Sequence, residues 1–375
     1  MVKLNNPFVV YGYKGAEFFC DREAETHTIM SALHNERNIA LTAPRRMGKS
    51  GLIQHVFNKI TEEDPDVHCF YIDILSTRNL QKLVQLMSES IIGKLDSPSQ
   101  TVIKRIQNFF KGLHPSFTFD EITGMPTVSL DFQPSESRQS LHKIFEYMRL
   151  SGKRCYVAFD EFQQILTYKD ENVEALLRSY IQFLPNVYFI FSGSIQHLIQ
   201  EMFSSSARPF FQSSQMLDLK PLDFERYHLF ANKWFAEQGR NISQETFKYV
   251  FDRYDGITWY VQAVMNRLYE WTSCDLTIET CDEVIKELTN EQEGTFQNYC
   301  SWLTDNQLQL IQAIAAEGGV ESPLAINFIR KYALPSTSSV SQALQSLLEK
   351  RLLSRIGKKY IVSDLLFGEW LNQKG

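Results

Sequence analysis

The first two-thirds of the chain alternates short apolar runs with longer stretches in which apolar residues return every three or four positions. Runs at 38–42, 68–74, 155–160, 187–192 and 215–219 are bounded by turn-forming or charged residues and read as strands. Amphipathic helices lie between them. Leu52, Ile53, Val56, Phe57 and Ile60 line one helix face, and Leu141, Ile144, Phe145 and Met148 line another. Strand and helix in alternation is the pattern of an α/β domain. One stretch departs from it: residues 115–132 carry Phe117-Thr118-Phe119-Asp120, Gly124-Met125-Pro126 and Thr127-Val128-Ser129-Leu130. They predict a β-hairpin inserted between the second and third core strands.

From about Lys220 the strand signals stop. Amphipathic helix fills 221–288, broken at Gly239-Arg240-Asn241 and Asp255-Gly256. The pattern then changes to helices at 306–316, 323–332 and 338–351, followed by short strands at 352–356 and 359–362 around Gly357. Three helices and a hairpin make a winged-helix pattern. The expected organisation is an α/β core over 1–219, a helical segment over 220–295 and a winged helix over 296–375.

A length of 375 residues suits two or three domains at roughly 150 residues each. With 43% hydrophobic and 22% charged residues, the chain can bury a core and is not of disordered composition. No apolar run approaches the ~18 residues of a membrane span, and the first residues lack a long apolar signal region. A cytoplasmic protein without a membrane partner is expected. The six cysteines are scattered with no C-x-x-C pair, which points away from a disulfide framework or zinc site. A net charge of −6 argues against a histone-like or ribosomal protein, and leaves nucleic-acid contact to a local basic patch.

The most specific chemistry follows the first apolar run. Ala43-Pro44-Arg45-Arg46-Met47-Gly48-Lys49-Ser50, with Gly51 next, joins a strand to an amphipathic helix, the setting in which such a loop binds phosphate. Consecutive backbone N–H groups wrap the phosphates, and the helix N-terminus adds partial positive charge. Gly48 lets the backbone approach closely. Lys49 reaches the β- and γ-phosphates, and the Ser50 hydroxyl ligates Mg²⁺. Ala43 stands where a first glycine is usual.

A second apolar run, Cys155-Tyr156-Val157-Ala158-Phe159, ends in Asp160-Glu161. This is the form of a Walker B segment. Asp160 would hold Mg²⁺, and Glu161 would orient and deprotonate the attacking water. Val187-Tyr188-Phe189-Ile190-Phe191 ends in Ser192-Gly193-Ser194, where either serine can sense a γ-phosphate; serine there also suits a helix N-cap. Arg208, before the last strand, either reaches a γ-phosphate, in this chain or a neighbouring one, or is a solvated loop residue.

Together these residues resemble the archaeal-type ATPases of the AAA+/STAND P-loop NTPases, a family also found in bacteria. The resemblance is carried by Phe19-Cys20-Asp21-Arg22-Glu23, the loop with its paired arginines, Tyr71-Ile72-Asp73-Ile74, Phe159-Asp160-Glu161-Phe162, Ser192-Gly193-Ser194 and Leu219-Lys220-Pro221-Leu222. It implies an AAA+/ASCE-type three-layer core with parallel sheet order 5-1-4-3-2, a helical lid and a C-terminal winged helix. It also implies ATP with Mg²⁺, the segment around Phe8, Tyr11 and Phe18 near the adenine, where these aromatics either stack on the base or belong to the core, and Arg22 touching the nucleotide or bracing the loop. Two positions depart from the family pattern. Thr258 replaces a lid proline, where it can cap a helix instead, and Gln212-Ser213 replaces a Gly-Arg pair.

Residues 301–375 carry eight Lys or Arg against six Asp or Glu, and Arg355-Ile356-Gly357-Lys358-Lys359-Tyr360 is locally basic. Ser336, Thr337, Ser338, Ser339, Ser341 and Gln342 stand on the third helix without an arginine to read guanine. The principal expectation is an ATP-hydrolysing switch that is slow without a partner. The alternatives are an ATP-gated DNA-binding regulator, with DNA on the winged helix, and a non-catalytic scaffold for a protein partner. Self-association is compatible with each.

Overall fold

The computed structural model describes residues 5–95, 100–119, 126–169 and 172–374; the tip of the expected hairpin, with Gly124 and Met125, lies outside them. The chain divides into two compact units. One runs from Tyr11 to Tyr227, and the other joins the first ten residues to His228–Gly375.

The contiguous unit runs α1 (Glu23–His34), β1 (Ile39–Thr42), α2 (Lys49–Glu63), β2 (His68–Asp73), α3 (Leu80–Ile91), α4 (Gln100–Phe109), β3 (Pro115–Phe119), β4 (Pro126–Leu130), α5 (Ser137–Ser151), β5 (Cys155–Asp160), α6 (Val173–Ile181), β6 (Val187–Gly193), α7 (Gln196–Ser204) and β7 (Gln215–Asp218). Five parallel strands form one sheet in the order β2-β5-β6-β1-β7. Numbered within the sheet this is 2-3-4-1-5, the expected order met from the opposite edge. Every residue of β1 and β5 is buried. A parallel sheet is covered on both faces, so its strands read as continuous apolar runs rather than alternating ones. Phe159, Phe162, Phe189, Phe191, Phe203 and Phe210 fill the space beside the central strands. β3 and β4 pair antiparallel as a separate hairpin that packs on α3 through the buried Val128 and Leu130.

The register decides the site. Asp73 lies opposite Asp160 at the ends of β2 and β5. Leu41 and Thr42 lie opposite Ser192 and Gly193. The phosphate loop, both acids and the serine-glycine tip therefore leave the sheet at the carboxyl ends of its strands, where ligands bind in open α/β sheets.

The other unit contains α8 (Phe224–Ala236, its first turn in the contiguous unit), α9 (Gln244–Arg253), α10 (Thr258–Glu270), α11 (Ile278–Glu291), α12 (Glu293–Ser301), α13 (Asp305–Ala316), α14 (Ile326–Lys331), α15 (Thr337–Glu349), β8 (Leu353–Ile356), β9 (Lys359–Val362) and α16 (Leu365–Lys374). The N-terminal segment is tied into it. Asn266 Nδ2 donates to the Phe8 carbonyl at 2.7 Å, and Asn6 Nδ2 donates to the Asn266 carbonyl at 2.8 Å. Phe8 is wholly buried among Phe230, Phe235 and Tyr269. Its ring is therefore core and offers no face to an adenine, the second of the two readings of this residue.

The lid helices are joined to the C-terminal helix. Arg253 makes a two-point contact with Glu369 at 2.7 and 2.9 Å. The Tyr260 hydroxyl donates to Asp364 and accepts from the Leu365 N–H at 2.8 Å. Thr258 is the first residue of α10 rather than its cap; Ile257 holds that position without a side-chain bond, which corrects the capping expectation. In the winged helix, Ser336 caps α15 by accepting from the Ser339 N–H. β8 and β9 form the hairpin, with Val320 bridged to Tyr360. Among the described residues, no helix is long and apolar enough to cross a membrane.

Candidate functional site

The loop between β1 and α2 turns through left-handed backbone at Arg46 (φ 65°) and Gly48 (φ 91°). Gly48 occupies the N-cap of α2 and makes no side-chain bond there, so the helix start presents backbone donors to an anion. Ala43 and Met47 are buried and anchor the loop, whereas Arg45 is exposed. Lys49 opens the helix, buried, and its Nζ donates to the Ala43 and Pro44 carbonyls at 3.1 Å each. Burial pushes its ammonium below the usual lysine range, against the opposing pull of Glu161 and Asp160.

The two residues expected to hold a metal are already in contact. The Ser50 hydroxyl donates to Asp160 Oδ2 at 2.6 Å. The Tyr71 hydroxyl donates to the same oxygen at 2.5 Å, and the Glu161 N–H donates to Oδ1 at 3.0 Å. Ser192, wholly buried on the neighbouring strand, turns its hydroxyl toward this carboxylate without completing a hydrogen bond. Burial alone would push the Asp160 carboxyl up. The hydroxyls of Ser50, Tyr71 and Ser192, with the Lys49 ammonium, outweigh it and hold Asp160 below the ordinary carboxylate range.

Glu161 follows in left-handed backbone (φ 56°), which turns its side chain out of the strand line. Its Oε2 accepts from the Ser194 hydroxyl at 2.7 Å and from Gln163 Nε2. Neither serine of the tip caps the next helix, since Ile195 holds that position without a side-chain bond. The two serines thus divide the acids: Ser192 faces Asp160 and Ser194 holds Glu161.

Asp73 adds a third carboxylate. Burial pushes its carboxyl up, the Leu75 N–H pulls it down, and the charges of Asp160 and Glu161 push it up again, with a net upward shift. Between the ordinary aspartate value and that raised value the folded state holds more protons than the unfolded one. Stability therefore falls as pH rises through this window, and the penalty is complete at neutral pH. Asp73→Asn keeps an acceptor for the Leu75 N–H, which now bonds Oδ1 at 2.9 Å. Thermal melts of the nucleotide-free protein are expected to show a rise on the order of 1–2 °C at pH 7, shrinking toward pH 4, small because the exposed part of the charge is screened. An unchanged or lower Tm at pH 7 would refute the like-charge crowding.

Arg22 stands in left-handed backbone (φ 78°) before α1, almost wholly buried. Its Nη1 pairs with Glu25 at 2.8 Å, while its Nη2 is buried without an acceptor, which suits an anionic ligand. Arg208 is partly exposed but paired. It lies 2.9 Å from the buried Glu174 and 3.8 Å from Glu201, so reaching a phosphate would leave a buried carboxylate without its partner. The aromatic residues attached to α2 are Tyr13 and Phe19. Phe19 stacks on His55 with centroids 4.3 Å apart, and the Tyr13 hydroxyl meets His55 Nδ1 at 2.9 Å. Burial, helped by Lys59, pushes His55 down to about 4. Tyr11 is exposed and Phe18 half-buried.

Sequence reasoning missed Tyr71, Asp73 and Gln163 as members of the cluster. Asp73 left a signal, an acid ending a core strand as Asp160 does. Tyr71 sits two residues earlier on the same strand face.

Residues 19–264 match the model of an ATPase domain predominantly from Archaea, and residues 294–373 match that of a winged helix domain. Comparison of the sequence with curated proteins finds no match. Among solved structures, a Walker-type ATPase of Pyrococcus abyssi aligns over 98% of this chain and 99% of its own at 18% identity, with a TM-score of 0.65. The Aeropyrum pernix ORC1 protein, solved in complex with DNA, aligns over 99% and 96% at 11% identity and a TM-score of 0.56. The ORC2 protein of the same organism aligns over 99% and 98% at 14% identity and a TM-score of 0.51.

Proposed function

The chain belongs to the family of ATPase domains found predominantly in Archaea, and from that premise we propose that it is an ATP-hydrolysing switch whose nucleotide state governs the lid and winged helix. The observation that carries the proposal is the contact of Ser50 with Asp160, with Lys49 over the loop and Glu161 beside it. Ala43 to Gly51 cradle the phosphates, and Arg22 offers its unpaired guanidinium nitrogen. A hydroxyl and a carboxylate are the oxygen donors that Mg²⁺ takes, and Asp160 is held in its charged form. Ser50 and Asp160 would hold the ion; when bound, it neutralises charge building on the phosphates.

Lys49 holds the β- and γ-phosphates. Glu161 takes the proton of the attacking water. Ser192 or Ser194, at the tip of β6, would register loss of the γ-phosphate. A ligand shifts an equilibrium only through contacts that differ between states, and the γ-phosphate supplies that difference. The test is calorimetry with Mg·ATP and Mg·ADP beside phosphate release by the purified protein. Binding with slow release supports the switch. Absence of nucleotide binding overturns it.

A second reading is supported by the wing. Arg355, Lys358 and Lys359 are exposed on the β8–β9 hairpin. If the wing follows a DNA backbone, neutralising Lys358 and Lys359 together is expected to lower duplex affinity and reduce the salt slope by about 2. Unchanged affinity in the double variant would count against DNA and leave a protein partner for the winged helix.

A further inference from the structure

Gln163 has an arrangement that packing alone does not explain. It is 2% exposed, in the short 3₁₀ helix Phe162–Thr167 that begins directly after Glu161. Its neighbours Phe162 and Ile165 belong to the apolar core, so a leucine of similar size would suit the position. The amide instead carries a penalty: Oε1 is buried with no donor, which leaves a polar group unsatisfied. The chain also keeps room for it. A Cβ on Gly193 would lie 2.2 Å from Gln163 Oε1, and 2.5 and 2.6 Å from Ile199. A side chain at the tip of β6 would thus press on both the Gln163 amide and Ile199. The return on this arrangement is one hydrogen bond, from Gln163 Nε2 to Glu161 Oε2.

Ser194, next to that glycine, donates to the same oxygen at 2.7 Å. Both donors converge on Oε2, and among the described residues Oε1 accepts no hydrogen bond. Two fixed donors on one oxygen define the plane of a carboxylate whose backbone already stands in a left-handed turn. We propose that Gln163 is a positioning residue for Glu161: with Ser194 it tethers Oε2 and keeps Oε1 directed at the water that Glu161 activates. Gly193 leaves open the space that the Gln163 amide shares with Ile199. The inference rests on the hydrolytic role proposed above for Glu161.

The test uses the full chain with Gln163→Leu, Gly193→Ala and their combination, beside the wild type and Glu161→Gln. Gln163→Leu is expected to lower kcat by about 10- to 100-fold, the scale of losing orientation at one group, with Mg·ATP affinity within twofold. Its Tm is expected to hold or rise, because an unsatisfied carbonyl is removed; a purely structural glutamine would lower Tm and leave kcat alone. Gly193→Ala is expected to reproduce the kcat loss by displacing Gln163, and the combined variant to lose little more than either alone. The crystal structure of nucleotide-free Gln163→Leu is expected to show the Glu161 carboxylate turned away from Ser194 or spread over several positions.

Two results overturn the tether: kcat unchanged or raised in Gln163→Leu while Glu161→Gln is inactive, or an unmoved Glu161 in that crystal structure. If wild type and Glu161→Gln release phosphate equally, the hydrolytic reading has failed instead, and the crystal structure still decides whether Gln163 holds the carboxylate.

Discussion

Lys49→Met is expected to leave the protein folded and remove most of its affinity for Mg·ATP. The lysine stem is buried, and its ammonium is held over the loop by the Ala43 and Pro44 carbonyls. The charge therefore already stands where phosphates enter and needs little reorganisation to meet them. Truncating one member of a desolvated charge pair costs about 2–5 kcal/mol, so Kd should rise roughly 30- to 4,000-fold. The nucleotide-free protein should tolerate the change, because burial disfavours the ammonium there and methionine fills the same channel. Calorimetry measures the affinity, and the ligand-induced Tm shift separates lost binding from lost folding. At 100 times Kd a ligand stabilises by about 2.7 kcal/mol, and in the variant that shift should nearly vanish. A Kd within threefold of wild type would remove Lys49 from the phosphate site.

Glu161→Gln is expected to retain Mg·ATP affinity within twofold and to lose turnover by about 10²–10⁴-fold, the usual worth of a general base. The substitution changes one heavy atom. An amide oxygen still accepts from Ser194 and Gln163, and the bond to Asp160 Oδ1 comes from the backbone of residue 161. Metal-ligand geometry and phosphate contacts should therefore survive, while the group that accepts the proton is gone. Single-turnover phosphate release separates this from slow product release. Should more than a tenth of the rate persist, the base lies elsewhere, and Asp73, in register with Asp160, is the next carboxylate to replace.

The parts legible in the sequence share a cause: backbone chemistry fixes their spacing. Buried parallel strands must be apolar throughout, so all five core strands stood out. The left-handed turn into α2 stood out as well, because Gly48, Lys49 and Ser50 join an apolar strand to an amphipathic helix. Side-chain partnerships across the sheet were not legible. Tyr71 reaches Asp160 because β2 and β5 are neighbours in one register, which no local pattern encodes. Gln163 meets Glu161 because residue 161 takes a left-handed turn, unusual for glutamate. Arg208 stayed open between a γ-phosphate contact and a solvated loop because its partner Glu174 lies on a helix 34 positions earlier. Phe8 stayed open between an adenine contact and the core because the helices that bury it come more than two hundred residues later.

That last separation has a consequence during synthesis. Residues 11–227 form a contiguous unit and can fold as they emerge, whereas the first ten residues belong with a body that begins at His228. Asn6 and Phe8 meet Asn266 across sequence separations of 260 and 258. At roughly 5–20 residues per second, the ribosome delivers that partner on the order of 10–50 s later. Through that interval Phe8 has no hydrophobic site of its own. A nascent chain stalled before Asn266 should therefore expose the segment around Phe8 to protease while the parallel sheet is already protected.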